Sequence, residues 1–287
     1  MIAAPVPRAT GTSRRLATAC IVALTVTATA AYAQQIILGG GGGFRGAPKW
    51  ATPQSFDGSW NYCRGFFTSD YREPGGSGWN TDFPAADNNF SVRLAELTFV
   101  SVKLASNRQP DNVVVRLTDP LLFHCPMLFM EDVGTAALDQ DEIESLRTYL
   151  LKGGLLWVDD FWGSLAWERW QDTIARVLPP GEYPVFDIPP DHPILHTLYN
   201  VKSVPQVSSI QFWYRSSGDV SERGYDSQRV DFRGIQDHKG RLMVVMTHNT
   251  DISDTWEREG ENREYFERFS PDGYAVGVNV VLYALTH

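Results

Sequence analysis

The chain has 287 residues, of which 43% are hydrophobic, and its formal net charge is −9. This acidic balance disfavours nucleic acids and anionic membrane surfaces as partners, because both bind basic protein faces. The length suits one large domain, or one domain with a long insertion, behind a short leader.

The first 33 residues have the features of a cleaved secretory signal peptide. Three arginines precede an apolar stretch at 16–30, and the small-x-small triplet at 31–33 forms a cleavage site. The stretch is too short to favour a membrane span, and no second one follows, so we expect no transmembrane segment in the mature chain. Cleavage removes three arginines and leaves 22 Lys and Arg against 34 Asp and Glu, a net charge of −12. We therefore expect export to the periplasm or the exterior, by the general secretory or the twin-arginine route.

Residues 34–58 are interpreted as a flexible glycine-rich leader, and residues 59–287 as the folded domain. Five glycines at 39–43 would cradle a phosphate only between a strand and a helix, and no helix pattern follows them. Aromatic residues dominate 59–67, which favours a first strand. The long Gly/Pro/Asp-rich loop at 68–87 that follows is of a kind that is usually functional or disordered.

The next segments alternate between helix and strand patterns. A helix is predicted over 88–102, with Asp87 as N-cap and Leu97 on its buried face. Apolar runs at 112–117, 127–130 and 155–158 predict buried strands. The Asp-x-x-Glu box at 139–142 starts the helix that leads into the last of these strands. This alternation predicts an α/β fold, a three-layer mostly parallel sheet with helices on both faces.

The C-terminal half adds a helix, an excursion and a hairpin. Ser164 is predicted to cap a helix that ends at the prolines near 180. The proline-punctuated residues 182–231 form a peripheral excursion. Residues 232–236 and 241–247 predict a hairpin-like pair, and a terminal helix is expected over 274–287.

Polar side chains follow four of the predicted strands. The clusters are Asp119; Glu131 with Asp132; Asp159 with Asp160; and His248, Asn249 and Asp251. If the strands are parallel, these clusters share the sheet edge where α/β proteins bind ligands. Carboxylates with histidine suit a divalent metal or acid–base chemistry. The alternative is ordinary capping and turn chemistry, in which aspartate is common.

Histidines and tryptophans extend the list of candidates. His192, between Asp191 and Pro193, would serve as a base or ligand, or would fix the proline-rich loop. Trp79, Trp162 and Trp256 beside acidic or glycine-rich loops would stack on a sugar, although most such rings are core residues. The crevice candidates are Asp82, Asp119, Asp159, Asp160, Trp162, His192, His248, Asn249, Asp251 and Trp256. Among these, Asp159, Asp160, His192 and His248 are the candidate metal ligands.

Cysteine usage and nucleophile motifs argue against thiol and serine chemistry. Cys63 and Cys125 remain in the mature chain, either paired or as free core residues. No Cys-x-x-Cys and no Gly-x-Ser-x-Gly occurs, and Pro126 after Cys125 blocks a nucleophile turn there.

From about residue 59 to its C-terminus the chain resembles the DUF4159 family of exported or membrane-associated bacterial proteins. The likeness is carried by Thr81-Asp82-Phe83-Pro84, Trp157-Val158-Asp159-Asp160-Phe161-Trp162-Gly163, Asp191-His192-Pro193-Ile194 and His248-Asn249-Thr250-Asp251, among others. The resemblance implies a class I glutamine-amidotransferase-like, flavodoxin-like fold. The catalytic cysteine of that parent fold has no counterpart here, and the family supplies no activity.

Two functions follow as hypotheses. The first is an exported, non-catalytic module that binds a small ligand or a protein through the acidic crevice and the 68–87 loop, with sugar binding as a variant. The alternative is a hydrolase assisted by a divalent metal, with Asp159, Asp160, His192 and His248 as ligands or acid–base groups. A structure that shows whether Asp159, His192 and His248 lie in one site would be the most informative test of these hypotheses.

Overall fold

In the computed structural model, the described part of the chain is residues 48–287. The predicted signal peptide (1–33) and the glycine run (39–43) lie outside it. Within residues 48–287 one sheet contains the strands β1 (Cys63–Phe66), β2 (Val113–Arg116), β3 (Met127–Glu131), β4 (Leu155–Phe161), β5 (Phe186–Asp187), β6 (Asp231–Gln236) and β7 (Leu242–His248). The α-helices in these residues are α1 (Ala85–Leu97), α2 (Gln140–Leu151), α3 (Gly163–Val177), α4 (Ile210–Arg215), α5 (Asp254–Glu257) and α6 (Arg263–Thr286).

The strand order is β2-β1-β3-β4-β7-β6-β5. The first five of these strands run in parallel, whereas β6 pairs antiparallel with β7 and with β5. Counted along the chain, the parallel strands have the order 2-1-3-4-5, which is that of flavodoxin-like sheets. The predicted α/β class with a mostly parallel sheet is confirmed. Its topological switch point lies between β1 and β3, where such folds bind ligands.

Helices pack on both faces of the sheet, and each face has its own hydrophobic core. One core joins α2 and α3 to one face, through residues such as Leu146 and Trp170. The other joins α1, α5 and α6 to the opposite face, through Phe90, Trp256 and Val278. The predicted capping box at the start of α2 is present, and Ile143, Leu146 and Leu150 of this helix are buried. Helices therefore cover both faces, as the sequence predicts.

Two helices begin earlier than predicted. α1 already includes Asp87, which is buried in its first turn instead of capping it, and Leu97 at its end is 43% exposed. α3 includes Ser164, whose place as N-cap is taken by Trp162. In both cases a polar residue that suits a cap has a tertiary partner, which local sequence does not reveal.

α6 is longer than the predicted terminal helix. It begins well before Tyr274, because the side chain of Asn262 accepts the amide N–H of Tyr265 and caps it. The first turns of this helix are charged and contain Pro271, so the sequence does not show clearly the apolar stripe that this part of the helix buries. No helix within residues 48–287 combines the length and the apolar character needed to cross a membrane.

Residues at the end of the predicted leader pack along the sheet. Trp50 forms a parallel bridge with Val114 of β2, whose amide donates to the carbonyl of Lys49. The described end of the leader, residues 48–58, therefore covers the outer edge of β2. Exposed strand edges invite pairing with other chains, and this segment protects one.

Cys63 and Cys125 form a disulfide, which joins β1 to the residue two positions before β3. The predicted hairpin is also present as β6 and β7. The excursion at 182–231 is less peripheral than expected, because it contributes β5 at the sheet edge and α4 on one face.

Candidate functional site

Left-handed backbone at acidic and amide residues marks the carboxyl edge of the sheet. Among residues 48–287, six non-glycine residues have positive φ, and four lie at or beside this edge. They are Asp82 (φ 56°), Asp132 (φ 52°), Asp160 (φ 50°) and Asn249 (φ 63°). Such backbone costs about 1–2 kcal/mol for an L-residue and less for Asn and Asp. Strained residues of this kind cluster at functional sites.

Arg64 is the cation at the centre of this edge. It extends from β1 and is fully buried. Its Nε donates to Asp87 in α1 (2.9 Å), and its Nη1 donates to the carbonyl of Thr81 (2.9 Å) and to Glu131 at the end of β3. A buried guanidinium is tolerated only with such partners. Arg64 therefore joins β1, β3, α1 and the loop before α1.

Ser253 gathers three carboxylates around one hydroxyl group. Its Oγ lies 2.9 Å from Asp82 Oδ2 and 3.1 Å from Asp251 Oδ1, and it also contacts Glu131 Oε1. A hydroxyl group has one hydrogen and donates it to one acceptor. The other contacts bring oxygen lone pairs together, so a proton or a cation has to lie between them.

Burial raises the pKa values of these acids. It holds the pKa of Glu131 well above its ordinary value in spite of the nearby charge of Arg64, and the charge of Asp82 adds to the effect. The pKa of Asp251 is also well above its ordinary value, because of burial and then the charges of Asp160 and Asp82. A low-dielectric surrounding disfavours the charged form of a carboxyl group. When no cation is present, these shifts favour the protonated forms of Glu131 and Asp251.

Two overlapping sets of three acids have ligand oxygens within 4.8 Å of one another. The sets are Asp82 with Glu131 and Asp251, and Asp82 with Asp254 and Glu257. In the second set, Asp254 already accepts the amide N–H of Ile210 (2.7 Å), and Glu257 pairs with Arg258. In the first set, Glu131 pairs with Arg64 and Asp251 Oδ1 accepts the amide N–H of Asp254 (2.8 Å). What distinguishes this set is that all three of its carboxylates also meet at the hydroxyl group of Ser253. We call the first set, together with Ser253, the carboxylate pocket.

The loop before α1 is fastened over the edge by two more buried acids. Glu73 Oε1 accepts the amide N–H of Trp162 (3.0 Å) and Arg223 Nη2 (3.0 Å). Asp132 Oδ2 accepts the amide N–H of Gly78 (2.6 Å). Burial raises the pKa of Asp132 to about 8, and the nearby charge of Glu73 adds to this effect. The two acids anchor the loop from which Asp82 reaches the pocket.

β4 continues through Asp159 and Asp160 instead of ending before them. Asp159 Oδ1 accepts from Thr247 (2.5 Å) and its Oδ2 accepts the amide N–H of Ser253 (3.0 Å), so protein donors occupy both oxygens. Burial raises the pKa of Asp159 to about 7. Asp160 Oδ1 accepts Trp162 Nε1 (2.8 Å), and burial followed by the charge of Asp82 raises its pKa well above the ordinary value. Asp159 therefore positions Ser253 of the pocket through a backbone hydrogen bond, and the negative charge of Asp82 acts on Asp160.

His248 and Asn249 hold the start of α3. The Nε2 atom of His248 lies 3.0 Å from the carbonyl oxygen of Gly163, and its ring packs 4.8 Å from that of Phe161. Asn249 Oδ1 accepts the amide N–H of Gly163 (2.8 Å), and its Nδ2 donates to the carbonyl of Arg229 (3.0 Å). Both side chains therefore contact the first residue of α3, and neither contacts the carboxylate pocket.

His192 lies toward the opposite edge of the sheet. Its Nδ1 accepts the amide N–H of Ile194 (3.2 Å), and its ring is 6.0 Å from that of Tyr283. The hydroxyl group of Tyr283 accepts the amide N–H of Leu242, the first residue of β7. His192 thus fixes the proline-rich loop, and the four proposed metal ligands do not converge in one site.

The tryptophans named as sugar contacts are mainly core residues. Trp256 is completely buried, with its ring 4.8 Å from Phe90 and 6.1 Å from Trp157. Trp162 is 4% exposed, and the partly buried Trp79 packs on aromatic neighbours. These rings offer little free face for stacking on a sugar.

Three residues of this site, Arg64, Glu131 and Ser253, are not among the crevice candidates predicted from the sequence. Arg64 is a charged residue within the predicted first strand, among aromatic residues, and this pattern is a signal of a buried ion pair that the sequence does contain. Glu131 is the last residue of β3 instead of following a strand that ends at Met130, and nothing in the local sequence distinguishes Ser253. Asp119 follows β2, as predicted, but accepts the amide N–H of Leu121 (2.9 Å) and caps a short 3₁₀ turn.

Residues 70–285 match the family described as a domain of unknown function, DUF4159. No curated protein matches the chain. The matched range contains all four residues of the carboxylate pocket, whereas Arg64 precedes it.

Proposed function

This chain belongs to the DUF4159 family, and from the geometry of its carboxylate pocket we propose that it is an exported, non-catalytic domain that binds a hard divalent cation such as Ca²⁺ or Mg²⁺. Asp82, Glu131 and Asp251 supply carboxylate oxygens, and Ser253 supplies a hydroxyl oxygen. The meeting of three carboxylates at Ser253 Oγ is the observation that carries this proposal.

The charges around the pocket favour a cation. Arg64 is the nearest guanidinium, and it is shared between Asp87 and Glu131. Asp82 and Asp251 have no basic partner among the ion pairs of residues 48–287. Like charges in a buried site repel strongly unless they bind protons or a metal ion. A divalent ion would replace the protons and neutralise the acids.

The ligand atoms and the position select the kind of ion. All four side chains offer oxygen, and hard cations prefer oxygen, whereas zinc prefers nitrogen and sulfur. The pocket includes the end of β3, beside the switch point between β1 and β3. Ligands of flavodoxin-like sheets bind at that place. Asp82 is partly exposed, which gives the ion a route from solvent.

Other features support export and the absence of a cysteine nucleophile. Disulfides persist in oxidising compartments, and Cys63 is bonded to Cys125. The signal-like composition of residues 1–33 agrees with that location. Both cysteines of the described part are thus unavailable as nucleophiles, in keeping with the missing amidotransferase cysteine.

A metal-assisted hydrolase is the second candidate, and Asp160 is the residue that favours it. Its carboxyl group is half-buried, its pKa is well above the ordinary value, and it lies beside the pocket acids. Such a group can donate a proton to a leaving group near a metal ion. Cation-dependent turnover of p-nitrophenyl phosphate or acetate that is lost in Asp160→Asn would support this candidate, and its absence would favour binding alone.

Calorimetric titration of the chelator-treated mature chain tests the proposal. We expect saturable binding of Ca²⁺ or Mg²⁺ and a rise in melting temperature on addition of that ion. Asp251→Asn should abolish both effects and still fold, because asparagine mimics the protonated acid. Asp82→Asn, in the partly exposed loop, should weaken binding.

The matched control is Asp172→Asn, which changes an exposed acid on α3 and should leave binding unchanged. Absence of binding, and of any rise in melting temperature with Ca²⁺, Mg²⁺ or Mn²⁺, would refute the cation site. Equal binding by Asp251→Asn and the unmodified chain would refute its location.

A further inference from the structure

A second cavity, separate from the carboxylate pocket, lies between the end of α4 and the start of α6. Its volume is about 410 Å³, which is within the range of small-molecule sites. Its lining includes two aromatic rings, an acid and a base, which are Trp213, Tyr214, Glu264 and Arg268. No residue of the carboxylate pocket lines it.

Two hydrogen-bond donors converge beside Gly218 in this cavity. A Cβ atom placed on Gly218 would lie 3.5 Å from Trp213 Nε1 and 3.8 Å from Arg268 Nη1. Trp213 is 7% exposed, and its buried Nε1 has no acceptor. Leaving a buried donor unsatisfied costs about 1–3 kcal/mol. The place between the two nitrogens is therefore suited to an oxygen atom, and the charge of Arg268 favours a carboxylate.

Arg268 is available for such a ligand. Its guanidinium lies over the ring of Phe269, with the ring centroid 4.9 Å away, and this contact leaves the N–H groups free. Among residues 48–287 it forms no ion pair. The side chain is exposed, so a ligand from solvent can reach its guanidinium group.

The same cavity also offers a negative charge. Glu264 precedes Arg268 by one helical turn on α6, so both side chains lie on one face. The two form no ion pair with each other, and Glu264 has no cationic partner among residues 48–287. Tyr214 adds an aromatic ring that is 53% exposed and packs 5.5 Å from the ring of Trp213.

We propose that this cavity binds a small zwitterion of the α-amino-acid type. The carboxylate lies between Arg268 and Trp213 Nε1, the ammonium group pairs with Glu264, and the side chain packs on Tyr214. A simple anion would leave Glu264 facing a like charge, and a neutral sugar would leave both charges unmatched. A zwitterion satisfies the donors, the acid and the base together.

Nuclear magnetic resonance of the indole N–H groups gives a site-specific test. The chain has nine tryptophans, and the signal of Trp213 is identified by its loss in Trp213→Phe. The probes are L-leucine, 4-methylpentanoate, which lacks the amine, and 3-methylbutylamine, which lacks the carboxylate. We expect L-leucine to shift the Trp213 signal saturably and at least tenfold more tightly than either partial analogue. Glucose should leave the signal unchanged.

Variants on one helix separate the two charges. Glu264→Gln should reduce the affinity for L-leucine to that for 4-methylpentanoate, and Arg268→Met should abolish the shift. The matched controls are Glu267→Gln and Arg263→Met, which change an exposed pair on the same helix and should have no effect. Equal affinity for L-leucine and 4-methylpentanoate, an unmoved Trp213 signal, or a shift with glucose would each overturn the proposal. None of these results depends on cation binding.

Discussion

Replacing Arg64 with methionine removes the cation that joins β1, β3 and α1 while it keeps most of the side-chain volume. Asp87 and Glu131 are then left buried and without a guanidinium. Removing one partner of a buried ion pair typically destabilises a protein by about 3–5 kcal/mol. With a urea dependence of about 2–3 kcal/mol per molar, the midpoint should fall by roughly 1–2 M.

The pH dependence of this loss identifies its cause. Without Arg64 the pKa values of Asp87 and Glu131 rise further, so folding has to bind protons and becomes less favourable as pH rises. The destabilisation by Arg64→Met should therefore be larger at pH 8 than at pH 5. Urea unfolding followed by tryptophan fluorescence at both pH values measures it.

A companion variant separates lost charge from lost packing. Arg64→Met combined with Asp87→Asn and Glu131→Gln removes both uncompensated carboxylates and should recover more than half of the lost stability. A loss below about 1 kcal/mol, the range of exposed pairs, would refute the reasoning. A loss that is the same at both pH values and in the companion variant would also refute it.

Three further predictions concern the rest of the chain. Burial raises the pKa values of Asp159 to about 7 and of Asp132 to about 8, so the folded state holds protons that the unfolded state has released above pH 4. The urea midpoint of the unmodified chain should therefore fall between pH 5 and pH 8, and a rise would contradict this prediction. Replacing both cysteines of the disulfide, 62 residues apart in sequence, with serine should cost about 4 kcal/mol, seen as a lower melting temperature; an unchanged melt would contradict it. His192→Ala should leave calorimetric cation binding unchanged, because His192 lies near the amino edge of β7, and a tenfold loss would contradict that placement.

Much of the fold could be predicted because its signals are local. The apolar run of β4 and the capping box of α2 each lie within a few residues, and their alternation implies a parallel sheet. The start of α6 was missed, since Pro271 and charged turns mask a stripe that only packing reveals. The extension of β4 was missed for a similar reason, because it depends on pairing between Phe161 and His248.

The site could be predicted in location but not in composition. Parallel topology places the strand ends at one edge, and the acids Glu131 and Asp251 do meet there. Which side chains face one another depends on the alternation of side chains along each strand and on the paths of the loops. Donors of the protein therefore occupy the oxygens of Asp159, and the side chain of His248 lies on the other face of the sheet. The local sequence of the proline-rich excursion does not predict its path. That path places His192 away from the carboxyl edge of the sheet.

Anomalous diffraction from crystals of residues 34–287 grown with Mn²⁺ tests the central claim most directly. A cation in the carboxylate pocket predicts an anomalous peak about 2.0–2.6 Å from oxygens of Asp82, Glu131 and Asp251, absent from Asp251→Asn crystals. The absence of a peak at saturating Mn²⁺ would contradict the claim. A peak found only at other acids, while these three carboxyl groups still meet at Ser253, would also contradict it.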